Sequence, residues 1–154
     1  MKKKLVWVGV FLFVSLFFSQ SALSHCQIPC GIYGDEMRFD MIEEDIGTVE
    51  KAMKQIVELS KAGDKNYNQI VRWVNNKDEH AGRIQEIVHE YFMTQRVAPE
   101  GKANMDAYRR YLEKLELLHQ MLFYAMKAKQ TTDLDYVEKL RSALRGFRKV
   151  YFAH

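Results

Sequence analysis

The spacing of apolar residues from Asp35 onward constrains the fold of this chain more than any other feature. Apolar side chains recur there every three or four positions, which is the period of an amphipathic helix. Pro99 and Gly101 break the pattern in the middle, and Gly63 ends its first segment. Four stripes result: Ile42, Ile46, Val49, Met53 and Ile56; Ile70, Trp73, Ala81, Ile84, Val88 and Tyr91; Tyr108, Leu112, Leu115, Leu118, Leu122 and Met126; and Val137, Leu140, Leu144, Phe147 and Tyr151.

Four amphipathic helices with short connections bury their apolar stripes most simply as an antiparallel four-helix bundle. Thr132 and Asp133 are the N-cap candidates of the fourth helix. The chain contains only 8 Gly and 2 Pro, which disfavours an all-β sandwich with its frequent turns. We therefore expect an all-α protein whose bundle occupies residues 35–154.

Residues 1–24 have the layout of a secretory signal peptide. Three lysines precede an apolar stretch, which is shorter than the roughly 20 residues that a membrane-spanning helix needs. Ala22 and Ser24 provide the small residues expected before a cut at His25. The sequence thus predicts an exported protein, periplasmic or secreted, that is free of the membrane after cleavage; an uncleaved membrane anchor is the alternative.

Removal of residues 1–24 changes the charge of the chain. The whole sequence has a formal net charge of +3, and Lys2, Lys3 and Lys4 account for all of the excess. The mature chain is formally neutral, so it lacks the basic excess that phosphate contacts require, and we expect no nucleic-acid partner.

The histidines and carboxylates of the predicted helices do not form a recognisable metal motif. Two pairs, Glu86 with His89 and Glu116 with His119, have the Glu-x-x-His spacing of a di-iron site in a bundle, but none of these four residues belongs to an apolar stripe, so they are not expected to project into the bundle core as such a site requires. We interpret the scattered residues of this kind as solvated or interface positions: His80, His89, His119 and His154, with Glu43, Glu44, Glu79 and Glu86.

The segment His-Cys-Gln-Ile-Pro-Cys-Gly-Ile-Tyr, residues 25–33, carries the densest set of metal donors. Cleavage before His25 would place a free amine, an imidazole and the thiols of Cys26 and Cys30 within six residues. Thiolates favour late transition metals over calcium or magnesium, and an α-amine with a pKa near 8 loses its proton at modest cost. Pro29 and Gly31 would let the backbone turn back between the two cysteines.

Other chemistry remains open for these two cysteines. Two nearby thiols in an exported protein commonly form a disulfide. An exported thiol–disulfide protein is therefore one alternative, and a bundle that sequesters nickel or copper without turnover is another. Covalent haem attachment is excluded because it needs Cys-x-x-Cys-His, whereas Cys26 and Cys30 are separated by three residues and Gly31 follows.

The motif of residues 25–33 at a processed amino terminus, ahead of four helices, closely resembles the nickel-containing superoxide dismutases. The resemblance implies a nickel cofactor held in a hook, residues 25–34, by the amine and imidazole of His25, the amide and thiolate of Cys26 and the thiolate of Cys30. It implies that Pro29 shapes the hook and that Tyr33 lines the approach of the substrate.

The resemblance extends into the helices. It implies that Tyr91 also approaches the site and that Glu43 supports the axial imidazole of His25. Gln27 stands where the better-known members have Asp, and Met93 replaces a lysine to which the family gives an anion-steering role.

The reaction that the resemblance implies is the disproportionation of superoxide to dioxygen and hydrogen peroxide by Ni(III)/Ni(II) cycling. Tyr33, Tyr91 and bound water are candidates for ordering the proton supply. The resemblance further implies a homohexamer. The aromatic pairs Tyr91-Phe92, Phe123-Tyr124 and Tyr151-Phe152 independently favour a protein interface, with packing at the bundle ends as the alternative.

Overall fold

The computed structural model describes residues 34–153, and the predicted signal peptide and most of the predicted hook lie outside them. Within this range the chain is all helical, without a strand. Its elements are α1 (Asp35–Ser60), a 3₁₀ turn (Gly63–Asn66), α2 (Tyr67–Glu86), a π-helix (Ile87–Arg96), α3 (Met105–Gln130) and α4 (Asp135–Phe152). The prediction of four helices is confirmed. None of the helices in this part of the chain is long and apolar enough to cross a membrane.

The helix ends follow local sequence signals. Gly63 has a φ of 66°, a left-handed conformation that glycine adopts without strain, and it turns the chain between α1 and α2. The Asn104 side chain accepts hydrogen bonds from the backbone N–H groups of Asp106 and Ala107 and so caps α3. The prediction of Thr132 or Asp133 as the N-cap of α4 is wrong, because Leu134 occupies that position; the Asp133 carboxylate nevertheless accepts a hydrogen bond from the N–H of Asp135, the first residue of the helix.

The core lies where the stripes of α1, α2 and α4 predicted it. Phe39 and Ile42 of α1, Ile84 of α2, and Leu140 and Phe147 of α4 are each at most 1% exposed. These helices therefore present the apolar faces that their sequences indicate, and burial of those faces is what stabilises the bundle.

The predicted stripe of α3 needs a correction. Leu112 was expected in the core and is 44% exposed, whereas Leu118, Met121, Ala125 and Ala128 are fully buried. Leucines occur on more than one face of this helix, and two of its buried positions are alanines. The buried face of α3 therefore combines two large apolar residues, of which Leu118 was predicted, with two alanines, whose small side chains allow neighbouring helices to approach closely.

Side-chain contacts between the helices show which segments lie side by side. Asp35 at the start of α1 contacts Tyr151 at the end of α4, and Asp40 contacts Arg148. Further along, Gln85 of α2 donates to the carbonyl of Leu122 in α3. The start of α1, the π-helix and the end of α4 therefore meet at one end of the molecule.

This end of the molecule is packed with aromatic rings. Phe39, Phe92 and Phe147 are fully buried, and their centroids lie 4.9 to 5.3 Å apart. Tyr91 and Phe92 are both buried, so for this pair the packing alternative is correct and the interface interpretation is wrong. Phe123, at 43% exposure, remains on the surface.

Candidate functional site

A hydrogen-bonded cluster of four side chains lies above these rings, at the point where the chain leaves the predicted hook. Asp35, the first residue of α1, accepts a hydrogen bond from Tyr91 on Oδ1 at 2.5 Å and one from Tyr151 on Oδ2 at 2.8 Å. The Nε atom of Arg96 lies 3.0 Å from Oδ1, and its Nη2 donates to the Tyr91 oxygen at 2.9 Å. We call Asp35, Tyr91, Arg96 and Tyr151 the Asp35 cluster.

The electrostatics of the Asp35 cluster keep the carboxyl group ionised and the phenols neutral. Burial alone would raise the pKa of Asp35, but the hydrogen bonds from Tyr91 and Tyr151 and the charge of Arg96 outweigh burial, so its pKa is lowered. Burial and the hydrogen bond to Asp35 raise the pKa of both tyrosines, most strongly that of Tyr151. At neutral pH the cluster therefore contains one carboxylate, one guanidinium and two protonated phenols.

Tyr91 belongs to the π-helix, which continues α2 without a break. The wider turns show in side-chain contacts five residues apart, since Thr94 donates to the carbonyl of His89 and Gln95 to that of Glu90. Such π segments occur often at functional sites. Two guanidinium groups, those of Arg38 and Arg96, each lie 4.9 Å from the centre of the Tyr91 ring, within cation–π range.

A cavity of about 490 Å³ between α1 and α2 begins at Tyr91 and contains a second polar pair. In this pair the His80 Nδ1 lies 2.6 Å from the Asp45 Oδ1, and the two side chains are 17% and 8% exposed. Burial raises the pKa of Asp45 despite its contact with His80. His80 was interpreted as a solvated or interface position; in the structure its side chain is largely buried and paired with Asp45, so it is not a solvated position.

The structure places Glu43 apart from Tyr91. Arg141 Nε donates to the Glu43 carboxylate at 2.9 Å, and Arg141 Nη2 donates to Glu50 at 2.8 Å. Tyr91, by contrast, contacts Asp35 and Arg96. The two predicted site residues of the bundle thus lie in different polar clusters of α1.

The other predicted site residues, His25, Cys26, Pro29, Cys30 and Tyr33, lie outside the described residues. Among the described residues, no group of three or more His, Cys, Asp and Glu side chains is arranged to hold a metal ion. The donor set of residues 25–30 comprises two thiols, an imidazole and, after cleavage, an amine; these soft and nitrogen donors suit nickel. The residues present fit this metal.

Comparison with known families assigns the chain. The family model of nickel-containing superoxide dismutase matches residues 20–154, which include every predicted donor and the whole bundle. The chain belongs to the nickel-containing superoxide dismutase family. It is accordingly an oxidoreductase that uses nickel and acts on superoxide, and the match gives no support to the thiol–disulfide or sequestering alternatives. No curated protein and no solved structure matches the chain.

Sequence reasoning missed three members of the Asp35 cluster: Asp35, Arg96 and Tyr151. Tyr151 was assigned to the apolar stripe of α4, and its ring does pack on Phe147 at 5.3 Å. The only available signal was position: Asp35 lies two residues after Tyr33, and Arg96 lies five residues after Tyr91. An i, i+5 pair does not share a face on an α-helix as i, i+4 pairs do, so the π-helix that brings Arg96 to Tyr91 could not be anticipated.

Proposed function

We propose that the protein disproportionates superoxide at a nickel centre held by the amine and imidazole of His25, the amide nitrogen and thiolate of Cys26, and the thiolate of Cys30. The observation that carries this proposal is the family match, which extends over all of these residues. When bound, nickel supplies one-electron chemistry between Ni(III) and Ni(II), which anionic thiolate donors make accessible.

The reaction needs protons as well as electrons. One superoxide loses an electron and leaves as dioxygen, while a second gains that electron and two protons and leaves as hydrogen peroxide. The part of the chain outside the metal ligands must admit a small anion and order the proton supply. We assign this part to Tyr33 and Tyr91, and the location of Tyr91 beside Asp35, two residues after Tyr33, supports the assignment.

Glu43 and Pro29 complete the proposed site. Pro29 would shape the hook between the two thiolates. Glu43 would support the imidazole of His25, and Arg141, whose Nε donates to Glu43 at 2.9 Å, would hold that carboxylate in place. Arg141 would thus orient Glu43, and Glu43 would orient the His25 imidazole.

The bundle is proposed to be antiparallel, with residues 25–34 as a separate hook. Two sets of contacts support this arrangement. Asp35 contacts Tyr151 and Asp40 contacts Arg148, as expected if α1 and α4 run in opposite directions. Asp35 also contacts Tyr91 while Asp45 contacts His80, as expected if α1 is antiparallel to α2 and its π extension.

We further propose that the enzyme assembles as a homohexamer. Besides the resemblance, exposed apolar residues support an assembly, since Leu112 and Phe123 of α3 are 44% and 43% exposed and lie three helical turns apart. Light scattering of the purified enzyme should give six times the mass of the chain. A monomer at micromolar concentration would contradict the proposal.

Export is the proposed route to the mature site. Cleavage after Ser24 would create the terminal amine that the ligand set requires, and it would place the enzyme outside the cytoplasm. The intact mass of the protein from its native host should correspond to a chain that starts at His25. Activity that fractionates with the cytoplasm, on a chain still carrying Ser24, would contradict this.

The ligand assignment is tested by substitutions at the hook. Cys26→Ser and Cys30→Ser each exchange a soft anionic donor for a weakly acidic hydroxyl, so both variants should lose redox-active nickel and turnover. His25→Ala keeps the amine, so it should retain nickel while turnover falls sharply. Metal analysis and a superoxide assay on each processed protein measure both quantities, and equal loss of nickel in all three variants would contradict the division of roles.

A further inference from the structure

We propose that Asp35 is a positioning residue of the dismutase: it holds the hydroxyl proton of Tyr91 away from the substrate, so that Tyr91 acts toward the site as a hydrogen-bond acceptor only. This inference rests on the proposed function, because it assumes that Tyr91 lines the approach of superoxide. It adds a residue, and a direction of hydrogen bonding, that the resemblance does not supply.

The argument begins with the hydrogen bonds of one hydroxyl group. A phenol has a single O–H to donate and two lone pairs that can accept. Tyr91 donates its proton to Asp35 at 2.5 Å, and one lone pair accepts from Arg96 at 2.9 Å. Within the described part of the chain, these two contacts leave Tyr91 one lone pair and no proton to offer. Tyr91 can therefore orient a water molecule or the O–H of a peroxide, but it does not itself supply either of the two protons of the reaction.

The Asp35 carboxylate is itself held in a fixed orientation. Its second oxygen accepts from Tyr151 at 2.8 Å, and the Arg96 guanidinium lies against the first. Both phenol rings pack on the buried Phe92, with centroids 5.2 Å from it for Tyr91 and 5.5 Å for Tyr151. The cluster thus ties the first residue after the hook to the π-helix and to the end of α4, and neither ring can turn without breaking these contacts.

The charges of Asp35 and Arg96 should shift the pKa of Tyr91 in opposite directions. Asp35 raises the pKa of Tyr91, and Arg96 lowers it. Loss of the carboxylate should therefore ease ionisation of Tyr91, whereas loss of the guanidinium should hinder it. The charged and titratable groups that face Tyr91 and its partners come from every packed element. Those nearest to the cluster are Asp35 and Arg38 of α1, Arg96 of the π-helix, and Tyr151 of α4 with Lys114 of α3 over its ring. Those around the cavity are Glu44, Asp45, His80, Arg83, Glu86 and Glu90.

The experiment compares Asp35→Asn with Arg96→Gln in the nickel-loaded enzyme. Each variant is titrated by the ultraviolet absorbance of phenolate, with the corresponding Tyr91→Phe double variant subtracted to isolate Tyr91. Asp35→Asn should move the Tyr91 titration down by about one pH unit and Arg96→Gln should move it up. The alkaline limb of the turnover profile should shift in the same directions. At neutral pH, Asp35→Asn should lower kcat about tenfold with an unchanged nickel content.

Glu36→Gln is the matched control. It removes the same charge one residue away, from a side chain that is 73% exposed and lies 3.9 Å from Arg148 rather than near Tyr91. It should leave both the titration and the turnover unchanged. Should Asp35→Asn fail to fold, the upward shift in Arg96→Gln still tests the cluster.

Three results would overturn the inference: an unmoved Tyr91 titration in both variants, equal loss of turnover in Asp35→Asn and Glu36→Gln, or full turnover in Tyr91→Phe. None of them touches the assignment of the nickel ligands, which depends on the Cys26 and Cys30 variants. Failure of the inference and failure of the proposed function can therefore be told apart.

Discussion

Two polar clusters lie at helix ends in this bundle. They differ in whether all of their hydrogen-bonding groups have partners among the described residues. Lys77 is 3% exposed, and its ammonium group donates to the carbonyls of Ala128 and Lys129 near the end of α3 and to the carboxylate of Asp78. We call this the Lys77 cluster. All three ammonium protons have acceptors, and the last turn of α3 gains the donors that a helix C-terminus needs.

The Asp35 cluster is equally well connected but not saturated. Among residues 34–153, Tyr91 donates to Asp35 and accepts from Arg96, which leaves one lone pair, and it borders a cavity of about 490 Å³. The comparison teaches that a buried polar group does not by itself mark a site. What distinguishes the proposed site is that a hydrogen-bond acceptor remains on a residue that lines a cavity.

The largest effect that the comparison predicts is on stability at Lys77. Lys77→Met removes the donor of two carbonyls in or near the core, which should lower the free energy of unfolding by about 2 kcal/mol. Turnover per bound nickel should stay the same. Urea unfolding and a superoxide assay measure the two quantities.

The control for that substitution is Lys61→Met. Lys61 pairs with Glu58 on the surface, and both side chains are 67% exposed, so the change should cost well under 1 kcal/mol. If the Lys77 variant lost turnover per nickel while the control kept it, the Lys77 cluster would not be purely structural.

A third polar cluster, around Arg141, sharpens the comparison because it includes one proposed site residue and one structural residue. Arg141 donates to both Glu43 and Glu50. Glu43→Gln should lower turnover about tenfold with nickel retained, as loss of an outer contact to a metal ligand does.

Glu50→Gln is the matched control for Glu43→Gln, since it removes a carboxylate from the same guanidinium. The hydrogen bonds from Lys54 and Arg141 lower the pKa of Glu50, so its charge contributes to stability at neutral pH. The control should lower stability slightly and leave turnover unchanged. Equal turnover in the two variants would contradict a role of Glu43 in supporting a nickel ligand, and would show it to be only an ion-pair partner of Arg141.

The smallest predicted effect is a difference in acid behaviour between Asp35 and Asp45. The pKa of Asp35 is lowered from its usual value of 3.8, so the native state holds the ionised form, and its contribution to stability is lost as the pH falls below 3.8. The pKa of Asp45 is raised, so its ionisation opposes folding above 3.8, and acidification toward that value relieves the cost.

Urea midpoints of Asp35→Asn and Asp45→Asn between pH 3 and pH 7 test these opposite signs. The stability advantage of the parent over Asp35→Asn should shrink as the pH falls. Relative to Asp45→Asn, the parent should gain stability over the same interval. Parallel pH dependences in the two variants would show that the carboxyl groups do not occupy the different environments described above.

The sequence predicted the helices because periodicity is a local property. The buried faces of α1, α2 and α4 are as expected, since large apolar residues mark each of these faces in the sequence. For α3 the pattern misled: Leu112 is exposed, while Ala125 and Ala128 are buried. Small residues carry almost no hydrophobic signal, and their burial depends on how closely a neighbouring helix approaches.

The site could be predicted only where the chain keeps its donors together. Residues 25–33 form a contiguous motif, so nickel could be predicted from the sequence, and the same motif gives the proposed ligands. The Asp35 cluster combines residues 35, 91, 96 and 151, which meet only after three helical segments have packed. The His80–Asp45 pair was missed for the same reason, because neither residue has its partner within one helical turn.

The central claim is that the terminal amine of His25 helps to hold a redox-active nickel ion. The most direct test is to measure nickel content and superoxide turnover of a chain that starts at His25 beside one with a single extra residue before it. The extension should leave the helices folded, by circular dichroism, and abolish nickel-dependent turnover because the amine is displaced from the metal. An extended protein with normal turnover would contradict the claim.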